Sequence, residues 1–127
     1  MAKPGTSGIR RIINAGKYSY KGLKAGLVNE AAFRQDCILS VVLIAAAFFV
    51  TNEIVLLLFL ISGPFFILTA EILNSAIEAV VDRIGDEYNE LSGRAKDMGS
   101  AAVFLMLTYT ALIWILILGH VYLGWFA

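Results

Sequence analysis

The stretch that decides the architecture runs from Ile54 to Arg83, IVLLLFLISGPFFILTAEILNSAIEAVVDR. Its first part, Ile54 to Ala70, carries no charge. That run is long enough to cross a hydrocarbon core, which takes roughly 20 apolar residues, with a range of about 17–25. No turn residue separates Ala70 from Glu71, so the helix is expected to continue past the membrane. At about 100° per residue, Glu71, Asn74, Glu78 and Asp82 then fall within roughly an 80° arc. Their neighbours Ile72, Leu73, Ile77, Val80 and Val81 are apolar. One helix therefore carries both a span and a polar stripe, with Glu71 at or just inside the membrane edge. An ionisable group at that depth costs several kcal/mol unless it is paired, hydrated or metal-bound, which makes it a functional-site candidate.

Two further apolar runs lie on either side, from about Cys37 to Val50 and from about Ala101 to Leu118. The first is short for a span, so its helix is expected to begin near Asn29, with Glu30 and Arg34 at the headgroups. The chain as a whole has 127 residues, 59% apolar and only 16% charged, with mean hydropathy +0.78. Soluble domains carry about 25% charged residues, and a soluble fold of this composition lacks the polar surface to cover itself. The expectation is a single all-α membrane domain over residues 1–127. It comprises a surface helix at about 6–28 and helices at about 29–50, 54–84 and 94–122. A net charge of zero removes the basic excess that a nucleic-acid binder needs. A single cysteine, Cys37, excludes an internal disulfide, and a single histidine, His120, excludes a His-pair metal motif.

Charge placement sets the orientation. All ten Lys and Arg residues lie in the N-terminal segment and in the 83–96 region, while the turn Thr51-Asn52-Glu53 has none. The positive-inside rule puts both basic segments in the cytoplasm and the C-terminus outside; Tyr122 and Trp125 then suit an outer interfacial belt. In the N-terminal segment Ile9, Ile12, Ile13, Gly16, Tyr20, Leu23 and Leu27 share one helical face, and Arg10, Lys17, Lys21 and Lys24 another. Such a basic amphipathic helix lies on an anionic leaflet, and its cations are candidates for phosphate. The polar stretch Arg83–Asp97 reads as a cytoplasmic connection, with Ser92 a cap for a last helix starting near Arg94.

Carboxylates at a membrane surface can hold Mg²⁺ together with substrate phosphates and can act as a general base. With cations nearby, those are the parts that phosphoryl transfer to a lipid alcohol requires. A proton-linked transporter would use membrane carboxylates too, and a structural protein could use the stripe as an oligomer contact. No G-x-x-x-x-G-K-[ST] or protein-kinase motif is present.

Four segments carry a specific resemblance. Asn29–Gln35 (NEAAFRQ), Glu71–Gly85 (EILNSAIEAVVDRIG) and Glu90–Ala102 (ELSGRAKDMGSAA), with Tyr18–Leu23 (YSYKGL) before them, resemble the prokaryotic integral-membrane diacylglycerol kinase family. The resemblance implies transfer of the γ-phosphate of MgATP to diacylglycerol, giving phosphatidic acid. It implies a bacterial inner-membrane homotrimer whose active sites are shared between subunits. It further implies that Glu71 is the catalytic base and touches the lipid, with Asn74 beside it in the catalytic stripe. By the same resemblance Glu30 and Glu78 hold the metal on the ATP phosphates. Lys96 and Asp97 bind ATP, with Arg11, Tyr18, Glu87, Tyr88 and Asn89 as further nucleotide contacts. Arg11, Ser19 and Ser100 lie near the lipid substrate. Related kinases phosphorylate undecaprenol, which stays open as the acceptor. Pro64 departs from the pattern and is expected to kink its helix; Asn89 stands where the family has a histidine.

Overall fold

The computed structural model describes residues 7–127; Lys3 and the expected start of the surface helix at residue 6 lie outside that range. The described chain is four helices: α1 (Gly8–Asn29), α2 (Ala31–Val50), α3 (Ile54–Ile84) and α4 (Glu90–Leu123). The last three are long and apolar enough to cross a membrane. α3 packs most extensively against α4, and then against α2. Ala47, Leu60 and Ile117 form a buried centre where these three helices meet, flanked by Leu57, Ile113 and Trp114.

Length explains the placement of the stripe. At about 1.5 Å per residue, the 31 residues of α3 span about 46 Å, against a hydrocarbon core of about 30 Å. Counting from Ile54, Glu71 stands about 26 Å along the axis, near the far edge of the core. The helix therefore does continue through Glu71 without a break, as the absence of a turn signal implied. The turn ahead of it, Thr51–Glu53, is held by the Thr51 hydroxyl, which accepts from the Glu53 backbone N–H at 3.0 Å.

Pro64 is accommodated without ending α3. Proline has no N–H, so the carbonyl four residues back loses its helical donor. That carbonyl belongs to Leu60, and the Trp114 indole Nε1–H of α4 donates to it at 3.2 Å. One position before the proline, Gly63 allows the close approach: a Cβ there would meet the Thr110 Cγ2 at 2.8 Å and its Cβ at 2.9 Å. Trp114→Phe should therefore lower stability by about 1 kcal/mol, the usual scale of an interhelical hydrogen bond in a membrane. In a Pro64→Ala background the restored N–H supplies the Leu60 carbonyl, and the cost of Trp114→Phe should shrink. Thermal unfolding of the four proteins in detergent measures that coupling.

Two expectations are corrected. The polar connection is Gly85–Asn89, not Arg83–Asp97, because α4 begins at Glu90. Ser92 does not cap it: Asn89 does, its side-chain Oδ1 accepting from the Ser92 backbone N–H at 3.1 Å. An Asn at the N-cap with Glu90 in the first turn is a strong start signal, strong enough to carry Gly93 inside the helix. At the other end Trp125 folds back over Gly119, whose missing Cβ leaves room for the ring. The His120 Nδ1 meets the Trp125 carbonyl at 2.6 Å, and Gly124 closes the helix in the left-handed region at φ 72°.

α1 joins α2 through one extended residue, Glu30 (φ −115°, ψ 110°). Its backbone N–H donates to the Gly26 carbonyl at 2.9 Å. Arg34 of α2 reaches back and donates from Nη1 to the Leu27 and Val28 carbonyls at 2.9 and 3.1 Å. These carbonyls have no helical partner at a C-terminus, and a cation there also suits the helix dipole. Gly26 itself is buried, and a Cβ on it would meet Ile72 of α3 at 2.6 Å and Phe33 of α2 at 2.9 Å. The C-terminal end of α1 is thereby pinned beside the start of the α3 stripe.

Candidate active site

The stripe faces inward at its first two positions: Glu71 is 6% exposed and Asn74 9%. Further along, Glu78 is half-buried and Asp82 exposed. Asp36 of α2 is the nearest acidic neighbour acting on Glu71, and the charges of Glu78 and Glu30 act on it as well. The charges acting on Glu71 thus come from α2, from α3 itself and from the α1–α2 joint. The pinning of α1 through Gly26 and Arg34 brings the Glu30 charge within reach of Glu71, a relation that the one-dimensional spacing could not reveal.

Asp36 was missed by sequence reasoning. It is the last charge before the apolar run of α2, as Glu71 is the first after that of α3. In antiparallel neighbours those two positions fall at the same membrane edge, and this is the signal that could have found it.

Asn74 bridges within the stripe. Its Nδ2 donates to the Glu78 Oε1 at 3.3 Å. Its Oδ1 is buried with no hydrogen-bond partner and lies against Gly99 of α4. Lys96, three residues before Gly99, donates to the Asp82 Oδ1 at 2.6 Å, and the charges of Glu78 and Asp86 are also near it. At 42% and 64% side-chain exposure this pair adds little to stability, so the ammonium can leave Asp82 for a phosphate at small cost. Between α3 and α4 an open groove of about 460 Å³ is walled by apolar side chains such as Phe66, Leu73, Met98 and Leu105, with Asn74 as a polar group in it.

The remaining sequence-selected residues lie around this centre. Arg11 and Ser19 are exposed on α1, and Tyr18 is half-buried. The Ser19 hydroxyl donates to the Ala15 carbonyl at 2.9 Å. Glu87 and Tyr88 are exposed in the α3–α4 connection, and Asp97 and Ser100 are exposed on α4. Asn89 is engaged as the α4 cap.

Among the described residues, no three His, Cys, Asp or Glu side chains form a group that could hold a metal ion. Glu30 and Glu78 are nevertheless charge neighbours of the same Glu71. Mg²⁺ commonly takes one or two carboxylates and completes its shell with water and substrate phosphates. Two such carboxylates fit the share of a Mg²⁺ shell that a protein supplies to a nucleotide-bound ion.

Comparisons with known proteins find one family and several relatives. Residues 17–118 match the family described as prokaryotic diacylglycerol kinase. The chain is 50% identical over 113 residues to a diacylglycerol kinase of Escherichia coli (strain K12), covering 89% of this chain and 93% of the relative. It is 47% identical over 109 residues to one of Haemophilus influenzae, covering 86% and 92%. To one of Pseudomonas aeruginosa it is 46% identical over 114 residues, covering 90% and 93%.

Proposed function

Since the chain belongs to the prokaryotic diacylglycerol kinase family, we propose that the carboxyl cluster around Glu71 is where this multi-pass membrane kinase moves a phosphoryl group from ATP to diacylglycerol. The single observation that carries the assignment is a buried Glu71 at the membrane-edge end of a spanning helix, on which the charges of Asp36, Glu78 and Glu30 act.

The reaction asks for a hydroxyl stripped of its proton and a nucleotide held in line. Glu71, at the level where a lipid hydroxyl lies, takes the proton. The alcohol oxygen forms its bond to the γ-phosphorus, the bond from that phosphorus to the β–γ bridging oxygen breaks, and ADP leaves with the electron pair. Asn74 sits one turn from Glu71 and orients the stripe. Glu30 and Glu78 would hold Mg²⁺, which when bound screens the charge of the phosphates. Lys96 and Asp97 bind the nucleotide, Lys96 by giving up Asp82 for a phosphate oxygen, with Arg11, Tyr18, Glu87, Tyr88 and Asn89 as outer contacts. Arg11, Ser19 and Ser100 line the lipid approach, and the α3–α4 groove accommodates acyl chain. Exposed side chains such as Arg11, Ser19 and Tyr88 suit a homotrimer in which neighbouring subunits complete each other's sites. The protein sits in the bacterial inner membrane, with α1 on the cytoplasmic surface and the C-terminus outside, as the distribution of Lys and Arg supports.

A mixed-micelle assay with radiolabelled ATP, offering diacylglycerol and undecaprenol side by side, tests this reading. Labelled phosphatidic acid is the expected product. Product from undecaprenol alone would reassign the acceptor, and no product from either would remove the kinase assignment.

A further inference from the structure

Gly99 of α4 lies against the buried carboxamide of Asn74, whose amide donates to Glu78. Asn74 is nine-tenths buried, so its carboxamide has few orientations to choose from. In the one it adopts, Nδ2 points along α3 to the Glu78 Oε1, and Oδ1 takes the space over Gly99 of α4. A Cβ at position 99 would collide with that Oδ1 and come within 3.2 Å of the carboxamide carbon, yet would lie at an ordinary 3.7 Å from the Asn74 Cα. The two helix backbones at this crossing can therefore tolerate a methyl group, whereas the carboxamide cannot stay where it is.

The second tight glycine of the same interface behaves differently. At Gly63 the added carbon would meet the Thr110 Cβ at 2.9 Å, an atom fixed to its backbone, so that crossing must open as a whole. Crowding at 63 is a packing fault, and crowding at 99 is a change of side-chain orientation.

We propose that Gly99 is a positioning residue: by leaving its Cβ space to Asn74, it aims the Asn74 amide at Glu78 and so fixes the carboxylate that meets the metal–nucleotide complex. The metal half of this statement rests on the assignment of Glu78 above; the orientation half does not. Groups that orient a metal-binding carboxylate commonly change metal affinity by about ten- to a hundredfold when lost.

The test uses the full chain in detergent or lipid, with Gly99→Ala and Gly63→Ala side by side. Two readouts are taken: the Asn74 side-chain amide resonance, and Mn²⁺ binding in the presence of a non-hydrolysable ATP analogue, followed by electron paramagnetic resonance. Gly99→Ala should move the amide resonance and weaken Mn²⁺ binding by about tenfold, with thermal stability near that of the parent. Gly63→Ala should lower thermal stability while leaving both other readouts unchanged. An unmoved amide signal in Gly99→Ala overturns the proposal, as does Mn²⁺ affinity within twofold of the parent when Glu78→Gln itself weakens it. Should Glu78→Gln leave Mn²⁺ binding untouched, the metal assignment of Glu78 falls instead, and the amide resonance alone decides for or against the role of Gly99.

Discussion

Glu71→Gln should reduce lipid phosphorylation by at least about 10²-fold, the low end of what a positioned general base contributes, and up to about 10⁴-fold. The substitution preserves volume and the capacity to accept a hydrogen bond, but it cannot take up the hydroxyl proton. It also replaces a buried carboxyl with a group that can itself donate to Asp36. For that reason the fold should survive: the Glu71 amide still has a partner, and the surrounding charge repulsion falls. The informative measurement is kcat in mixed micelles alongside unfolding temperature and oligomer size. Turnover within a factor of a few of the parent would remove Glu71 from the base role. Loss of turnover with loss of the folded protein would place the residue in the packing of α3 against α2.

Glu78→Gln should produce the second largest effect, and of a different kind. If Glu78 meets the metal, the variant should need about ten times more Mg²⁺ or more for half-maximal rate, with the dependence on lipid concentration unchanged. Chelation of divalent ions should abolish turnover in the parent, and restoring Mg²⁺ should recover it. An unchanged metal titration in Glu78→Gln would dismiss that carboxylate as a ligand and leave it as a partner of Asn74 only. A gradient requirement in place of a metal requirement would revive the transporter alternative.

The helical skeleton was legible because its signals are local and long. Seventeen uncharged residues from Ile54 to Ala70, with no turn residue before Glu71, announce a span that continues as a stripe, and α3 follows that reading to Ile84. The start of α4 was misread because two caps compete there: Ser92 precedes the apolar run more closely, but Asn89 has a side chain that reaches the Ser92 N–H. The donor deficit at Pro64 is visible in one dimension, whereas the group that meets it, Trp114, lies on another helix.

For the site, periodicity alone assembled Glu71, Asn74 and Glu78, since one helix carries all three. Glu30 was placed by resemblance, and its physical reason emerges only in the fold, where Gly26 lets α1 close upon Ile72 and Phe33. Asp36 escaped because a single acid at the mouth of an apolar run looks like a boundary marker. Its meaning depends on which helix stands beside it, and spacing within one helix says nothing of that.

The one-residue elbow at Glu30 ties two length scales together. Connections between packed helices commonly run about 2–8 residues and can absorb a change of tilt. Here such tilting has no slack linker to absorb it. Arg34 clasps the last carbonyls of α1, and the joint is the single extended residue Glu30, whose charge acts on Glu71. A rotation of α1 would therefore pass into the start of α2 instead of being lost between them.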